Sequence, residues 1–104
     1  MLPAPVADEP SHHRLSLRVR GRVQGVGYRA ATRKRARQLA LVGWVRNEQD
    51  GSVTIIAEGS REQLTALRTF CDEGPPFARV DQVEAIWDDA TGEFPGFDLQ
   101  FDGR

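Results

Sequence analysis

Five short stretches of the chain have the spacing of apolar and polar residues that predicts β-strands. In the first, Leu15, Leu17 and Val19 alternate with polar residues, which is the period of a strand with one buried face that ends at Gly21. The other four cover residues 43–47, 52–58, 80–87 and 97–101. Their predicted core positions include Val53, Ile55, Ala57, Val83, Ala85, Trp87, Phe97, Leu99 and Phe101.

Two longer stretches have apolar residues at helical spacing. The first begins at Tyr28, is rich in strong helix formers, and is predicted to end where Gly43 takes the left-handed conformation. The second is predicted to begin with a capping box of Ser60 and Gln63 and to end at Gly74. The apolar stripes consist of Tyr28, Thr32, Ala36, Leu39 and Ala40 in the first helix and of Leu64, Leu67, Phe70 and Cys71 in the second.

The order of these elements is strand, helix, strand, strand, helix, strand, with a short extra strand at the end. This order predicts an α+β fold, a ferredoxin-like βαββαβ sandwich whose mostly antiparallel sheet carries two helices on one face. We expect one domain over residues 14–104. Residues 1–13 contain three prolines and no apolar segment long enough for a signal peptide or a membrane span, and they are predicted to be a disordered tail.

Charge is unevenly distributed along the 104 residues, although the formal net charge is only −1. Residues 14–47 contain ten Lys or Arg and no Asp or Glu, whereas residues 48–104 contain thirteen acids and four bases. The first half is therefore expected to attract anions. For Arg33, Lys34, Arg35 and Arg37 we favour a simpler interpretation, a solvated basic face of the first helix.

Few of the side chains that usually carry out catalysis are available. Cys71 is the single cysteine, which excludes an intrachain disulfide, and because no histidine follows it we interpret it as a buried core thiol. His12 and His13 lack further ligands at suitable spacing, so no metal site is expected. The low cysteine content fits a reducing compartment, and we expect a cytoplasmic protein.

A glycine-rich segment from Gly21 to Arg29 lies between the first strand and the first helix. Its glycines let a ligand approach the main chain closely, so that successive N–H groups can converge on an anion at the positive end of the helix. Arg29 adds a planar, permanently charged fork of donors that matches two phosphate oxygens. The alternative is that this segment merely turns the chain.

Asn47 is predicted to lie beside this segment, although it is distant in the sequence. A crossover helix joins the first two strands, so these strands run parallel and their carboxyl ends, at Gly21 and Asn47, lie at the same edge of the sheet. The carboxamide of Asn47 can donate to a water molecule and accept from it, and both help to orient a nucleophile. An Asn before a turn is also ordinary turn chemistry.

Two runs of residues resemble the signatures of a known family. Residues 19–29, Val-Arg-Gly-Arg-Val-Gln-Gly-Val-Gly-Tyr-Arg, resemble the first signature of the acylphosphatase family. The run Gly43-Trp44-Val45-Arg46-Asn47, followed by Gly51, Val53 and Gly59, resembles the second. The similarity in the order of strands and helices extends from Leu15 to Phe101.

This resemblance implies hydrolysis of a small-molecule acyl phosphate to a carboxylate and inorganic phosphate, without a metal or a cofactor. It implies that Asn47 holds the attacking water in line with the leaving carboxylate. The phosphoryl group would be bound by the Arg29 side chain and by main-chain N–H groups of Gln24, Gly25, Val26, Gly27 and Tyr28. The conjugate acid of a carboxylate leaving group has a pKa of about 4, whereas that of an alkoxide leaving group is nearer the value for water, about 15.7. A carboxylate can therefore leave without protonation by a general acid.

Two other functions stay open. A nucleic-acid-binding module shares this fold, but the predicted strands lack the paired aromatic residues on which bases stack. Acylphosphatase-like domains also occur in larger carbamoyl-transfer proteins, where they act on carbamoyl phosphate for a partner. We expect a monomeric, free-standing enzyme that binds neither nucleic acid nor membranes. Nothing in the predicted site recognises the acyl group, so the physiological substrate stays open.

Overall fold

A computed structural model describes residues 12–101 of the chain. These residues form five strands and two helices in the order that the sequence predicts. The elements are β1 (His13–Arg22), α1 (Tyr28–Gln38), β2 (Val42–Asn47), β3 (Val53–Gly59), α2 (Arg61–Glu73), β4 (Arg79–Asp89) and β5 (Phe97–Gln100). Neither helix has the length and hydropathy that a membrane span requires within the described residues.

The five strands form one sheet in the order β4-β1-β3-β2-β5. All neighbouring strands are antiparallel except β2 and β5, which are parallel. Because β3 lies between β1 and β2 and is antiparallel to both, β1 and β2 run in the same direction. The prediction of a mostly antiparallel, ferredoxin-like sandwich is therefore confirmed.

The core lies between one face of the sheet and the two helices. Its buried residues include Leu15, Leu17, Val19, Tyr28, Ala36, Val45, Val53, Ile55, Ala57, Leu64, Leu67, Cys71 and Phe97. The helices are joined by the Oη atom of Tyr28, which donates to the main-chain carbonyl oxygen of Cys71 at 2.7 Å. Cys71 is fully buried, so the prediction of a buried core thiol is confirmed, and this burial raises the pKa of the thiol to about 12.

The two helices end differently from each other. Ser60 and Gln63 form the predicted capping box of α2, and Gly74 follows its last turn. By contrast α1 ends at Gln38, because the chain turns there to bury Leu41, and the residue in the left-handed conformation is Ala40 (φ 59°). The N–H of Ala40 bonds to the carbonyl of Arg37 and that of Leu41 to Ala36, which is a Schellman ending.

Two sequence predictions about this ending are therefore wrong. Ala40 is exposed, so it does not belong to the apolar stripe of α1. Gly43 does not close the helix either; it lies in β2, at φ 137°, and a Cβ atom there would collide with the main-chain carbonyl of Ile56. Its missing side chain lets β2 approach β3 closely.

The ends of β1 and β5 also differ from prediction. The sequence predicts that His13 belongs to the tail, but His13 begins β1, because it pairs with Gly59 on one side and with Asp89 on the other. Residues 1–11 of the predicted tail lie outside the described residues. Gly21 does not end the strand but lies within it, at a bulge against β4, where a Cβ atom would collide with the carbonyl of Arg79. Phe101 is 85% exposed because β5 ends before it, so its prediction as a core residue is wrong.

Candidate active site

A pocket of about 180 Å³ lies at the end of the sheet where β1 and β2 finish. It is lined by Val23, Gly25, Gly27, Tyr28, Arg29, Ala30, Asn47 and Leu99. Arg29 and Asn47, which belong to different elements, thus share one pocket. This is the juxtaposition that the parallel arrangement of β1 and β2 predicts.

The backbone of the glycine loop takes the left-handed conformation twice, at Gly25 (φ 74°) and at Gly27 (φ 81°). A Cβ atom on either glycine would meet nothing within 4 Å, so the backbone conformation, and not a lack of room, favours glycine at both positions. Gly27 is the N-cap of α1, and the first turn of α1 contains no acidic residue. The positive end of the helix therefore faces the pocket without a local countercharge, as an anion site requires.

Two predicted loop residues point their side chains away from the pocket. The Nε2 atom of Gln24 donates to the carbonyl oxygens of Glu48 (2.8 Å) and Ser52 (2.9 Å), which ties the loop to the turn between β2 and β3. Tyr28 is buried against Cys71, and burial raises the pKa of its hydroxyl. Gln24 and Tyr28 could therefore contact a phosphate through their main-chain N–H groups but not through their side chains, which is the role predicted for them from the sequence. Val26 is half-buried and packs against the core.

Arg29 is half-buried, and its Nη1 atom donates to the main-chain carbonyl oxygen of Gln100 at 2.9 Å. The last strand thus helps to position the guanidinium group at the pocket. Leu99, from the same strand, forms part of the pocket wall. Sequence reasoning missed both contributions of β5, because a main-chain carbonyl carries no side-chain signal and the alternation of Leu99 with polar residues predicts only a core position.

Asn47 is the last residue of β2 and pairs with Val53, so it shares the helix-covered face of the sheet. Its Oδ1 atom is buried and accepts no hydrogen bond within residues 12–101. A buried acceptor without a donor costs about 1–3 kcal/mol, and groups of this kind are often functional. The carboxamide oxygen of Asn47 is therefore available to accept a hydrogen bond from a molecule in the pocket.

The turn that follows Asn47 is held by charged side chains. Glu48 accepts hydrogen bonds from the Oγ1 atom of Thr54 (2.6 Å) and from the guanidinium group of Arg46 (3.0 Å), which lower the pKa of its carboxyl group. Asp50 accepts from the Oγ and the N–H of Ser52, and these bonds, with Arg20, lower its pKa to about 2. At neutral pH both carboxylates are ionised and stiffen the segment that carries Asn47 and receives Gln24.

The residues of the pocket offer no metal centre. Within the described part of the chain, no three His, Cys, Asp or Glu side chains lie close enough together to hold a metal ion. His12 is exposed, and His13 packs edge-on against Trp87 at the end of β4, at 6.4 Å between ring centroids. The side-chain donors and acceptors that line the pocket are those of Arg29 and Asn47.

The chain is similar to known proteins over most of its length. Residues 15–99 match the family model described as Acylphosphatase. An acylphosphatase of Salinibacter ruber is 54% identical over 84 residues, which cover 81% of this chain and 88% of that protein. The crystal structure of acylphosphatase from Bacillus subtilis superimposes with a TM-score of 0.82 at 32% identity, covering 85% of this chain and 98% of that one.

A larger protein contains a similar unit. The crystal structure of T. kodakarensis HypF matches with a TM-score of 0.72 at 30% identity, over 83% of this chain but only 11% of HypF. The acylphosphatases of S. ruber and B. subtilis, in contrast, are similar to this chain over nearly their whole length. The chain therefore belongs to the acylphosphatase family of hydrolases.

Proposed function

We propose that the protein hydrolyses acyl phosphates in this pocket, with Arg29 binding the phosphoryl group and Asn47 orienting the attacking water. The observation that carries the proposal is the buried, unpaired Oδ1 atom of Asn47 in the pocket that Arg29 lines. A water molecule that donates to Oδ1 would have its lone pair directed at a phosphorus atom held beside Arg29. Membership of the acylphosphatase family supports the reaction.

The phosphoryl group would be held by charge and by main-chain donors. The guanidinium group of Arg29 presents its donors in a plane, and the bond to Gln100 restricts the orientation of that plane before the substrate arrives. The N–H groups of residues 24–28 would complete the cradle at the positive end of α1. Such fixed donors stabilise the charge on the equatorial oxygens in the loose transition state of phosphoryl transfer.

The proton balance needs no acid or base from the protein. Water adds to phosphorus as the bond between phosphorus and the bridging oxygen breaks, and the acyl group departs as a carboxylate. Both protons of the water stay on the inorganic phosphate, so an acyl phosphate dianion yields a carboxylate and monoanionic phosphate. The low pKa of the leaving acid, about 4, makes this expulsion favourable without protonation.

The proposal is tested by release of phosphate from benzoyl phosphate by the full chain in the presence of a chelator. Asn47→Ala is expected to lower kcat by about 10²-fold or more, as loss of a positioned catalytic group does. Gln49→Ala, an exposed change in the same turn, is the matched control. A folded Asn47→Ala variant with wild-type kcat would overturn the assignment. Carbamoyl phosphate is assayed in parallel, and a strong preference for it would favour the carbamoyl-transfer alternative.

A further inference from the structure

A row of arginines runs along α1 from the pocket. Arg29, Arg33 and Arg37 are spaced four residues apart, so they lie on one side of the helix. Arg29 donates to the carbonyl oxygen of Gln100, and the Nε atom of Arg37 donates to that of Phe97 at 3.1 Å. The two ends of the row are thus fixed to the two ends of β5.

The middle of this row has unmatched positive charge. Arg33 is half-buried between the two anchored arginines, Lys34 is exposed beside it, and neither side chain forms a hydrogen bond or an ion pair within residues 12–101. The carboxylate of Asp98 is 69% exposed and lies 4.0 Å from Arg37. Like charges four residues apart destabilise a helix by about 0.2–0.5 kcal/mol per pair, a cost that a bound anion would relieve.

The cations line an open groove that adjoins the active-site pocket. The groove, which we call the cationic groove, is a shallow and open surface of α1 formed by Ala30, Arg33, Lys34, Arg37 and Gln38. Ala30 also lines the pocket that contains Arg29 and Asn47, so the two spaces meet at this residue. Lys34 and Arg37 are exposed, as the solvated basic face predicted from the sequence requires, and the shared Ala30 places this face beside the pocket.

We propose that the cationic groove binds a second anionic group, carried by the acyl part of the substrate, and that Arg33 and Lys34 determine this specificity. The substrate class is then an acyl phosphate whose acyl chain bears a further carboxylate or phosphate. The inference rests on the proposed function, since it assumes that the phosphoryl group lies at Arg29.

The direction in which the acyl group leaves supports this assignment. In phosphoryl transfer the attacking and leaving oxygens are roughly in line. With the water at Asn47, on β2, the leaving carboxylate lies on the opposite side of phosphorus, away from that strand. Ala30, on α1, is the pocket residue shared with the cationic groove, so an acyl group that leaves away from β2 would be directed towards that groove.

The test compares benzoyl phosphate with its 3-carboxy and 4-carboxy derivatives, which are rigid and differ from it mainly in charge. We expect the wild type to have the higher kcat/KM for at least one carboxylated substrate. In the double variant Arg33→Gln with Lys34→Gln this preference should fall by about fivefold, the size of an exposed ion-pair interaction. Gln keeps the helix propensity, so α1 should remain intact.

Arg61→Gln is the matched control. Arg61 lies on α2, where its guanidinium group packs 4.4 Å from the centre of the Trp87 ring, so this variant should leave the preference unchanged. A preference that is absent from the wild type, or that persists in the double variant, would overturn the cationic groove as a subsite while benzoyl phosphate hydrolysis still stood. If the folded wild type hydrolysed none of the three substrates, the proposed function would fail and the subsite with it.

Discussion

One guanidinium nitrogen of Arg29 donates to the main-chain carbonyl oxygen of Gln100 at 2.9 Å. This bond connects the first turn of α1 to the end of β5. That strand lies outside both runs that resemble the family signatures, and it is separated from the second run by α2 and β4. The charge at the pocket is therefore positioned by the far end of the chain as well as by its own helix. The loop after β1, the end of β2 and β5 all contribute residues to the same pocket.

Arg29→Ala is expected to lower kcat by about 10²–10³-fold and to raise the inhibition constant of inorganic phosphate, because the site loses its fixed charge. Arg29→Lys keeps the charge but not the planar fork, so it should recover only a small part of the activity. Phosphate inhibition is measured beside turnover, with folding checked by circular dichroism. Asn47→Ala should weaken phosphate binding much less, and an equal weakening in both variants would contradict the separate roles of Arg29 and Asn47.

Gly25→Ala should reduce activity through the backbone alone. A non-glycine residue in the left-handed conformation costs about 1–2 kcal/mol, and relief of that strain would turn the loop N–H groups away from the phosphate. Gly92 is the matched control, since it has the same φ of 74° and the same open surroundings but lies outside the pocket. Gly92→Ala should lose at least as much stability in urea, because the N–H of Gly92 also bonds to the carboxylate of Glu58, but only Gly25→Ala should lose kcat/KM. Equal kcat/KM in the two variants would show that the loop conformation does not matter for binding.

Gln24→Leu should destabilise the protein and impair catalysis together. Its side chain makes two hydrogen bonds to the turn after Asn47, each contributing about 0.5–1.5 kcal/mol. Without them the glycine loop and Asn47 are no longer held in a fixed relation, so kcat should fall. The free energy of unfolding and kcat are measured on the same preparation. A loss of stability with unchanged kcat would show that this tie is structural only.

The juxtaposition of Arg29 and Asn47 could be predicted because a crossover helix forces β1 and β2 to run parallel, whatever the details of packing. The role of Gln100 could not, since any residue there supplies the same carbonyl oxygen. The side-chain direction of Gln24 depends on the path of the loop, which periodicity does not describe. The predicted role of Gly43 is wrong because a glycine after a helix and a glycine at a close contact between strands have the same signature in a sequence.

Ala40→Gly is expected to stabilise the protein. Ala40 occupies the left-handed position of the Schellman ending of α1, where glycine has no Cβ strain. The expected gain in the free energy of unfolding is about 1 kcal/mol, measured by urea denaturation with unchanged slope. Ala31→Gly, within α1, serves as the opposite control and should destabilise by about 1 kcal/mol. Loss of stability in Ala40→Gly would mean that α1 does not end in this way in solution.

Glu58 is a buried carboxylate that closes the loop between β4 and β5. It is 2% exposed and accepts hydrogen bonds from the N–H groups of Thr91 (2.9 Å) and Gly92 (3.0 Å) and from the Nε atom of Arg14 (2.8 Å). Burial alone would raise the pKa of this carboxyl group, but the donors outweigh burial and lower it. The charged form therefore stabilises the folded state.

Because the pKa of Glu58 is lower in the folded than in the unfolded state, its contribution is complete above the unfolded value of about 4.3 and disappears as the pH falls through the folded value. Glu58→Gln should thus lower the free energy of unfolding by about 2–4 kcal/mol at pH 7, since Arg14 loses a buried partner. The difference between wild type and variant should shrink when urea denaturation is repeated at pH 3. Glu73→Gln, an exposed change at the end of α2, controls for the loss of one carboxylate. A difference that stays constant between pH 7 and pH 3 would mean that packing of the side chain, and not its charge, holds the loop.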